Sequence, residues 1–258
     1  MPKTPTLLEL LKAGVHFGHK TSRWHPKMKP YIFGQRSGVH IIDLEKTQVM
    51  LEKALDHIKT LASEGKVILF VGTKEQAREI IKNAAIACGM PYVDQRWLGG
   101  TFTNFSTIKR VTKKLIDLKT KRDKGELQKY TKKERLVFDR MIEKLEVTVG
   151  GIQNMAKLPD AVFILDLKKE KTARKEAENR KIPIIAICDT NINPEGIAYP
   201  IPGNDDAIKS IEMMVSLIAE AVSEGKAEAA KEKSSFAPSS AKASDGKKAL
   251  EDKEESKE

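Results

Sequence analysis

The chain has 258 residues, 40% of them hydrophobic, enough to bury a substantial core in one large or two small domains. No window reaches the roughly 18 uninterrupted apolar residues of a membrane span, and the opening MPKTPTLLELLKAGVHFGHK has no apolar signal-peptide core, so a soluble, cytoplasmic protein without a membrane partner is expected. The net charge of +10 is unevenly placed: residues 1–40 hold seven Lys and Arg against one acid, residues 109–146 fourteen against seven, and residues 226–258 eight of each, which leaves the rest net acidic. Two basic patches on an acidic body are the electrostatic footprint of a nucleic-acid binder, because each phosphate neutralised releases condensed counterions.

Along the chain, Thr6 with Glu9 reads as a capping box that opens a first helix. Residues 17–36 then interleave aromatic and basic side chains and are broken by glycine and proline, which suits an extended arm. Lys20, Arg23, Lys27, Lys29 and Arg36 can pair there with phosphates, while Trp24 and Tyr31 can stack on unpaired bases. Phe33 is the aromatic most expected to fold back onto the core. Asp43 is placed to cap an amphipathic helix in which Leu44, Leu51, Leu55, Ile58 and Ala62 keep helical spacing as far as Gly65. The apolar run 67–71 stops at Gly72 and opens into a helix expected over 73–87, with Thr73 and Gln76 as a second capping box. Residues 94–105 form another aromatic and basic stretch, with Arg96, Thr101 and Asn104 as candidate RNA contacts. Gly99 and Gly100 would let backbone approach RNA or protein closely there.

Residues 105–152 read as helix rather than sheet. Ile108, Val111, Leu115 and Leu118 keep three-four spacing up to the turn Asp123-Lys124-Gly125, and Phe138, Met141, Leu145, Thr148 and Ile152 resume it after a capping box at Thr131 and Glu134. The pattern predicts an antiparallel helical hairpin, a short coiled coil held partly by its base, with Lys109, Arg110 and Lys113 as phosphate contacts; two ordinary surface helices are the alternative. The strand-helix unit then returns: an apolar run at 161–165, Asp166 as a cap, a charged helix to Arg180, and a second run at 184–187. Strands apolar on both faces and alternating with helices predict an α/β fold, a doubly wound parallel sheet covered on each side. A last helix from about Asp206 carries Ile208, Ile211, Val215, Ile218 and Val222. The expected division is a basic helix and arm over 1–40, an α/β domain over 41–104 and 153–225, the hairpin over 105–152, and a disordered charged tail over 226–258.

The strand ends offer little catalytic chemistry. There is no GxGxxG, GxxxxGK[ST] or GxSxG, and Cys88 and Cys188 each end an apolar run, as reduced core thiols do. No organic cofactor and no enzymatic activity are expected. The rival is an enzyme on a small phosphorylated substrate that uses Thr73, Lys74, Asp166 and Asp189. His16, His19 and His25 fall within ten residues, and Asp189 and Asp205 could approach His16 and His19 across the crevice at the strand ends, a conceivable divalent-metal set.

Four segments carry a resemblance: LLKAGVHFGH at 10–19, RWHPKM at 23–28, QRWLGGT at 95–101 and LPD at 158–160. In collinear order they closely resemble the bacterial ribosomal protein S-two family. The resemblance implies a flavodoxin-like, five-stranded parallel domain with an inserted antiparallel coiled-coil hairpin. It also implies a noncatalytic place on small-subunit ribosomal RNA, among other small-subunit ribosomal proteins, and a part in recruiting the messenger-binding ribosomal protein S-one. His25 stands where Asn is commoner in the family.

Overall fold

The structure, a computed structural model, describes residues 4–235, with side chains as far as Lys231. Thr6 caps α1 (Leu7–Ala13) in a full capping box with Glu9, and Gly14 ends the helix at φ 76°. The segment expected to extend as an arm folds instead. β1 (Phe17–Lys20), β2 (Ile32–Arg36) and β3 (Val39–Ile42) make an antiparallel sheet in the order β1-β3-β2, with two 3-10 turns between β1 and β2. Met28, in the second turn, is fully buried in the main core and anchors the segment. Ser37 and Gly38 both take positive φ, 52° and 76°, as a tight hairpin between β2 and β3 requires. Phe33 does not fold back: it is 81% exposed, because the register of β2 shifts between Ile32 and Gly34 and Phe33 becomes the extra residue of a bulge.

The body follows. α2 (Leu44–Ser63) starts at Asp43, whose Oδ1 accepts from Glu45 N. Five parallel strands succeed it: β4 (Ile68–Val71), β5 (Tyr92–Val93), β6 (Ala161–Ile164), β7 (Ile184–Cys188) and β8 (Tyr199–Pro202), side by side as β5-β4-β6-β7-β8. Counted along the chain, these lie second, first, third, fourth, fifth, the flavodoxin-like order. Because side chains alternate along a strand, the sheet builds one core on each face. Ile68, Phe70, Phe163, Ile185 and Ile187 face α1, α2, α3 (Arg78–Cys88) and α7 (Ile208–Ser235). Leu69, Val71, Val162, Ile164 and Ala186 face α6 (Lys171–Asn179), Trp97, Phe102 and the base of the helical insertion. Both cysteines are free and buried, and burial pushes the Cys188 thiol up to about 12.

Helix α3 begins five residues after the expected capping box. The Thr73 hydroxyl donates to the buried Glu170 carboxylate, and α3 opens instead at Ala77, which has no side-chain cap. Asp166 caps a turn rather than a helix, accepting from Lys168 N and Lys169 N at 2.8 and 3.0 Å, and α6 starts at Lys171. Helix α7 continues to Ser235, so residues 226–235 correct the expectation of disorder. Gly225 lets it press on α2, since a Cβ there would lie 2.4 Å from the Lys59 carbonyl oxygen. Lys59 Nζ reaches Glu228 at 2.6 Å, and Lys226 Nζ donates to the Cys88 carbonyl at 2.6 Å. The rest of the expected tail lies outside the described residues.

The insertion is a pair of helices, α4 (Phe105–Asp123) and α5 (Lys132–Val149), packed on one another and joined through Gly125 at φ 73° and a 3-10 turn. The capping box at Thr131 and Glu134 forms as predicted. Ile108 and Leu115 are buried on α4. On α5 the buried residues are Ile142 and Val149, with Phe138, Met141, Leu145 and Thr148 half-buried beside them.

Candidate nucleic-acid interface and the strand-end cluster

The N-terminal sheet lies across the carboxyl ends of the parallel strands, where open α/β sheets usually offer a ligand crevice. His19 N donates to Thr190 Oγ1 at 2.9 Å, His25 N to the Thr190 carbonyl at 2.7 Å, and Asn204 N to the Val15 carbonyl at 3.1 Å. Only glycine permits this approach at position 18, where a Cβ would sit 2.6 Å from Thr190 Cγ2. Lys20 and Arg36 in the strands of the N-terminal sheet and Arg23, Lys27 and Lys29 in the 3-10 turns between them are exposed. Trp24 is 36% exposed, its ring tilted against that of His40 at 5.2 Å, so part of the indole stays open.

The loop before α4 owes its shape to a buried carboxylate that periodicity did not reveal. Glu176 Oε1 accepts from Trp97 Nε1 and Gly100 N at 3.2 and 2.7 Å, and Oε2 accepts from Phe102 N, Thr103 N and Thr103 Oγ1 at 2.9, 3.1 and 3.2 Å. Burial alone would raise its pKa; the backbone and indole donors outweigh that and hold it below the ordinary value. The one available signal was an acid next to Ala173 and Ala177 on the inward stripe of α6. Gly100, at φ 93°, therefore turns its backbone inward to protein. Thr101 is buried as well, its hydroxyl donating to the Leu98 carbonyl at 2.6 Å, which takes it out of the candidate surface. Arg96, Asn104, Lys109, Arg110 and Lys113 remain exposed, and Lys109 Nζ donates to the Ala156 carbonyl at 3.1 Å.

The cations differ in their partners. Among the described residues Lys20, Arg23, Lys29, Arg36, Arg96, Arg110 and Lys113 form no ion pair; Lys27 pairs with Glu195. In the body Lys59, Lys66, Lys74 and Arg174 all face carboxylates. The rival enzymatic set is likewise engaged, with Thr73 on Glu170 and Lys74 among aspartates.

At the ends of β7 and β8, His19, Asp189, Asp205 and Asp206 each present one donor atom, all within 4.8 Å of one another. His19 Nδ1 lies 3.0 Å from Asp189 Oδ2 and its Nε2 3.5 Å from Asp206 Oδ2. Lys74 Nζ is 3.1 Å from Asp205 Oδ1, also pairs with Asp206, and lies 3.9 Å from Asp166. Burial first, then Asp189 and Asp166, push the Asp205 carboxyl up to about 7, with Lys74 opposing. The hydrogen bond to Asp189 raises the His19 pKa against the pull of burial. His16 is not in this set, which corrects the sequence reading: its ring packs on Phe17 at 4.0 Å, and burial lowers its pKa. His16 and His19 lie three apart on non-helical chain, and only a helix would bring that spacing onto one face. Asp206 takes its place.

A family model described as Ribosomal protein S2 matches residues 10–225. The small ribosomal subunit protein uS2 of Campylobacter curvus is 52% identical over 221 residues, 86% of this chain and 84% of that one. The protein of the same name from Sulfurimonas denitrificans is 52% identical over 222 residues, 86% of each chain. The chain belongs to the ribosomal protein S2 family. The S2 match covers the N-terminal sheet, the parallel sheet, the helical insertion and α7 as far as Gly225, ten residues short of the helix end.

Each motif behind the S2 resemblance now has a structural reason. Residues 10–19 run from α1 into β1 and deliver His19 to the aspartates. Residues 23–28 form the 3-10 turns that expose Arg23 and Trp24 while burying Met28. Residues 95–101 are the loop tied to Glu176. Asp160, closing the last motif, accepts from Val67 N at 2.9 Å and so joins the starts of β4 and β6. Among the described residues no helix is long and apolar enough to cross a membrane.

Proposed function

We propose that this chain is a noncatalytic constituent of the small ribosomal subunit that contacts ribosomal RNA through its N-terminal sheet and helical insertion. Neighbouring small-subunit proteins pack beside it in the ribosome of the cytoplasm, and it helps to dock the messenger-binding ribosomal protein S-one. One observation supports the RNA reading: Lys20, Arg23, Lys29, Arg36, Arg96, Arg110 and Lys113 are exposed and, among the described residues, in no ion pair, whereas Lys27 on the same surface is paired with Glu195. A cation held ready for phosphate gains by releasing counterions on binding, and an already paired one gains less.

Binding to a small-subunit ribosomal RNA fragment at several salt concentrations tests the proposal. Changing Arg23, Lys27 and Lys29 together to Ala removes up to three phosphate contacts, so the slope of log affinity against log salt becomes shallower by about 2 to 3 units. Trp24→Ala lowers affinity by about 1 to 3 kcal/mol with little change of slope if a base stacks on the open indole. An unchanged slope in the triple variant would remove the N-terminal sheet from the interface. Co-sedimentation with small subunits, with and without ribosomal protein S-one, tests the docking role.

A further inference from the structure

Asp166, Asp189, Asp205 and Asp206 meet at the carboxyl ends of β6, β7 and β8, and the cations in ion-pair contact with them are Lys74 and His19. With His19 neutral, four carboxylates face one ammonium. Asp189 is 1% exposed: its Oδ1 accepts from Thr190 N and Thr190 Oγ1, but its Oδ2 has no hydrogen-bond donor unless His19 Nδ1, 3.0 Å away, carries a proton. A neutral His19 can donate to only one carboxylate: with the proton on Nδ1 it satisfies Asp189 Oδ2 and turns the Nε2 lone pair to Asp206 Oδ2, 3.5 Å away, a contact that a shared cation relieves.

We infer that His19, Asp189, Asp205 and Asp206 bind one divalent transition-metal ion. The donor atoms lie within 4.8 Å of one another, while ligands at about 2.0–2.2 Å in the tetrahedral array of a zinc-sized ion stand roughly 3.3–3.6 Å apart. Closing on the ion therefore brings the widest pair together by up to about 1.5 Å, a movement to which rotation of the Asp206 side chain, 59% exposed, contributes. An imidazole nitrogen beside carboxylates favours zinc or another transition ion over magnesium or calcium, which prefer all-oxygen shells. Access is open: a cavity of about 340 Å³ is lined by His19 and Asp206 together with Gly18, Lys20, Arg23 and Val39. Lys74 Nζ pairs with Oδ1 of Asp205 and of Asp206, and its single charge against three carboxylates leaves the shell net acidic. The ion joins β1 to the ends of β7 and β8, and so fastens the N-terminal sheet to the body.

The test uses the full chain, stripped with a chelator and dialysed, then titrated separately with Zn²⁺, Mn²⁺ and Mg²⁺, with bound metal quantified after equilibrium dialysis. The expected result is one Zn²⁺ per chain, bound more tightly than Mg²⁺, with a rise in Tm. His19→Gln and Asp206→Asn each weaken Zn²⁺ binding by about 10- to 100-fold, with unchanged circular dichroism of the apo proteins. Asp189→Asn has the same effect where it folds; the two more exposed positions decide the matter if it does not. Absence of saturable Zn²⁺ binding overturns the inference, as does Zn²⁺ binding that survives both His19→Gln and Asp206→Asn, or a preference for Mg²⁺.

Discussion

Every residue of β4, β6 and β7 is buried, whereas α5 buries only Ile142 and Val149 of its 18 residues. The sheet is held by apolar area removed from water on two faces. The helical insertion is held by its capping box, a narrow half-buried stripe, and a base whose Ile108, Leu115, Ile142 and Val149 share the core under β4 and β6. Their charges differ less sharply. Lys59, Lys66 and Lys74 in the body pair with carboxylates; on α4, Lys119 and Arg122 are paired as well, while Arg110 and Lys113 form no ion pair among the described residues. The sheet region buries most of the apolar area, and the insertion leaves most of its residues exposed.

Substitutions should separate the two regions, and the largest effect belongs to the sheet. Phe163 is fully buried with its ring edge-on to Phe70 at 5.5 Å, so Phe163→Ala should cost about 3 to 5 kcal/mol in chemical denaturation. An equal loss for Phe138→Ala, a half-buried position on α5, would break the comparison. Glu176 sharpens it, because this carboxylate ties the loop before α4 to the body. Glu176→Gln should cost about 1.5 to 3 kcal/mol near neutral pH, since the amide accepts through one oxygen where the carboxylate uses two. Its folded pKa is held below the ordinary carboxylate value, so its stabilisation is present above that value and is lost as pH falls through the folded pKa. Acid titration of Tm should show that drop in the natural protein and a smaller one in Glu176→Gln.

Smaller effects belong to the insertion. Thr131→Ala removes the cap of α5 and should cost about 1 kcal/mol, seen as faster amide exchange in the first turns of α5 with little change in the sheet. Leu136→Lys, on the exposed face of the same helix, should stay within about 0.5 kcal/mol of the natural protein. A loss of several kcal/mol at either position would mean that the insertion is core rather than appendage.

Much of the architecture was legible along the chain. Periodicity marked α2, α4, α5 and α7, and two of three capping boxes formed where Thr and Glu stood three apart. The continuous apolar runs of β4, β6 and β7 are what strands buried on both faces require. Strands β5 and β8 escaped because one is two residues long and the other, at the sheet edge, contains two prolines, which a central strand would exclude. Exposed cations were legible as charge, but not which of them would find a carboxylate.

What the sequence determined by itself was everything set by neighbours within about four residues: caps, apolar stripes, buried strand runs and the placing of charge. Tertiary structure alone decided the rest. Glu176 meets Gly100 across 76 residues, Thr73 turns from its expected cap to Glu170 across 97, and His19 is brought to Asp189 by the folding of the N-terminal sheet over the strand ends. A buried polar group must find a partner wherever the topology supplies one, and no local period encodes that distance.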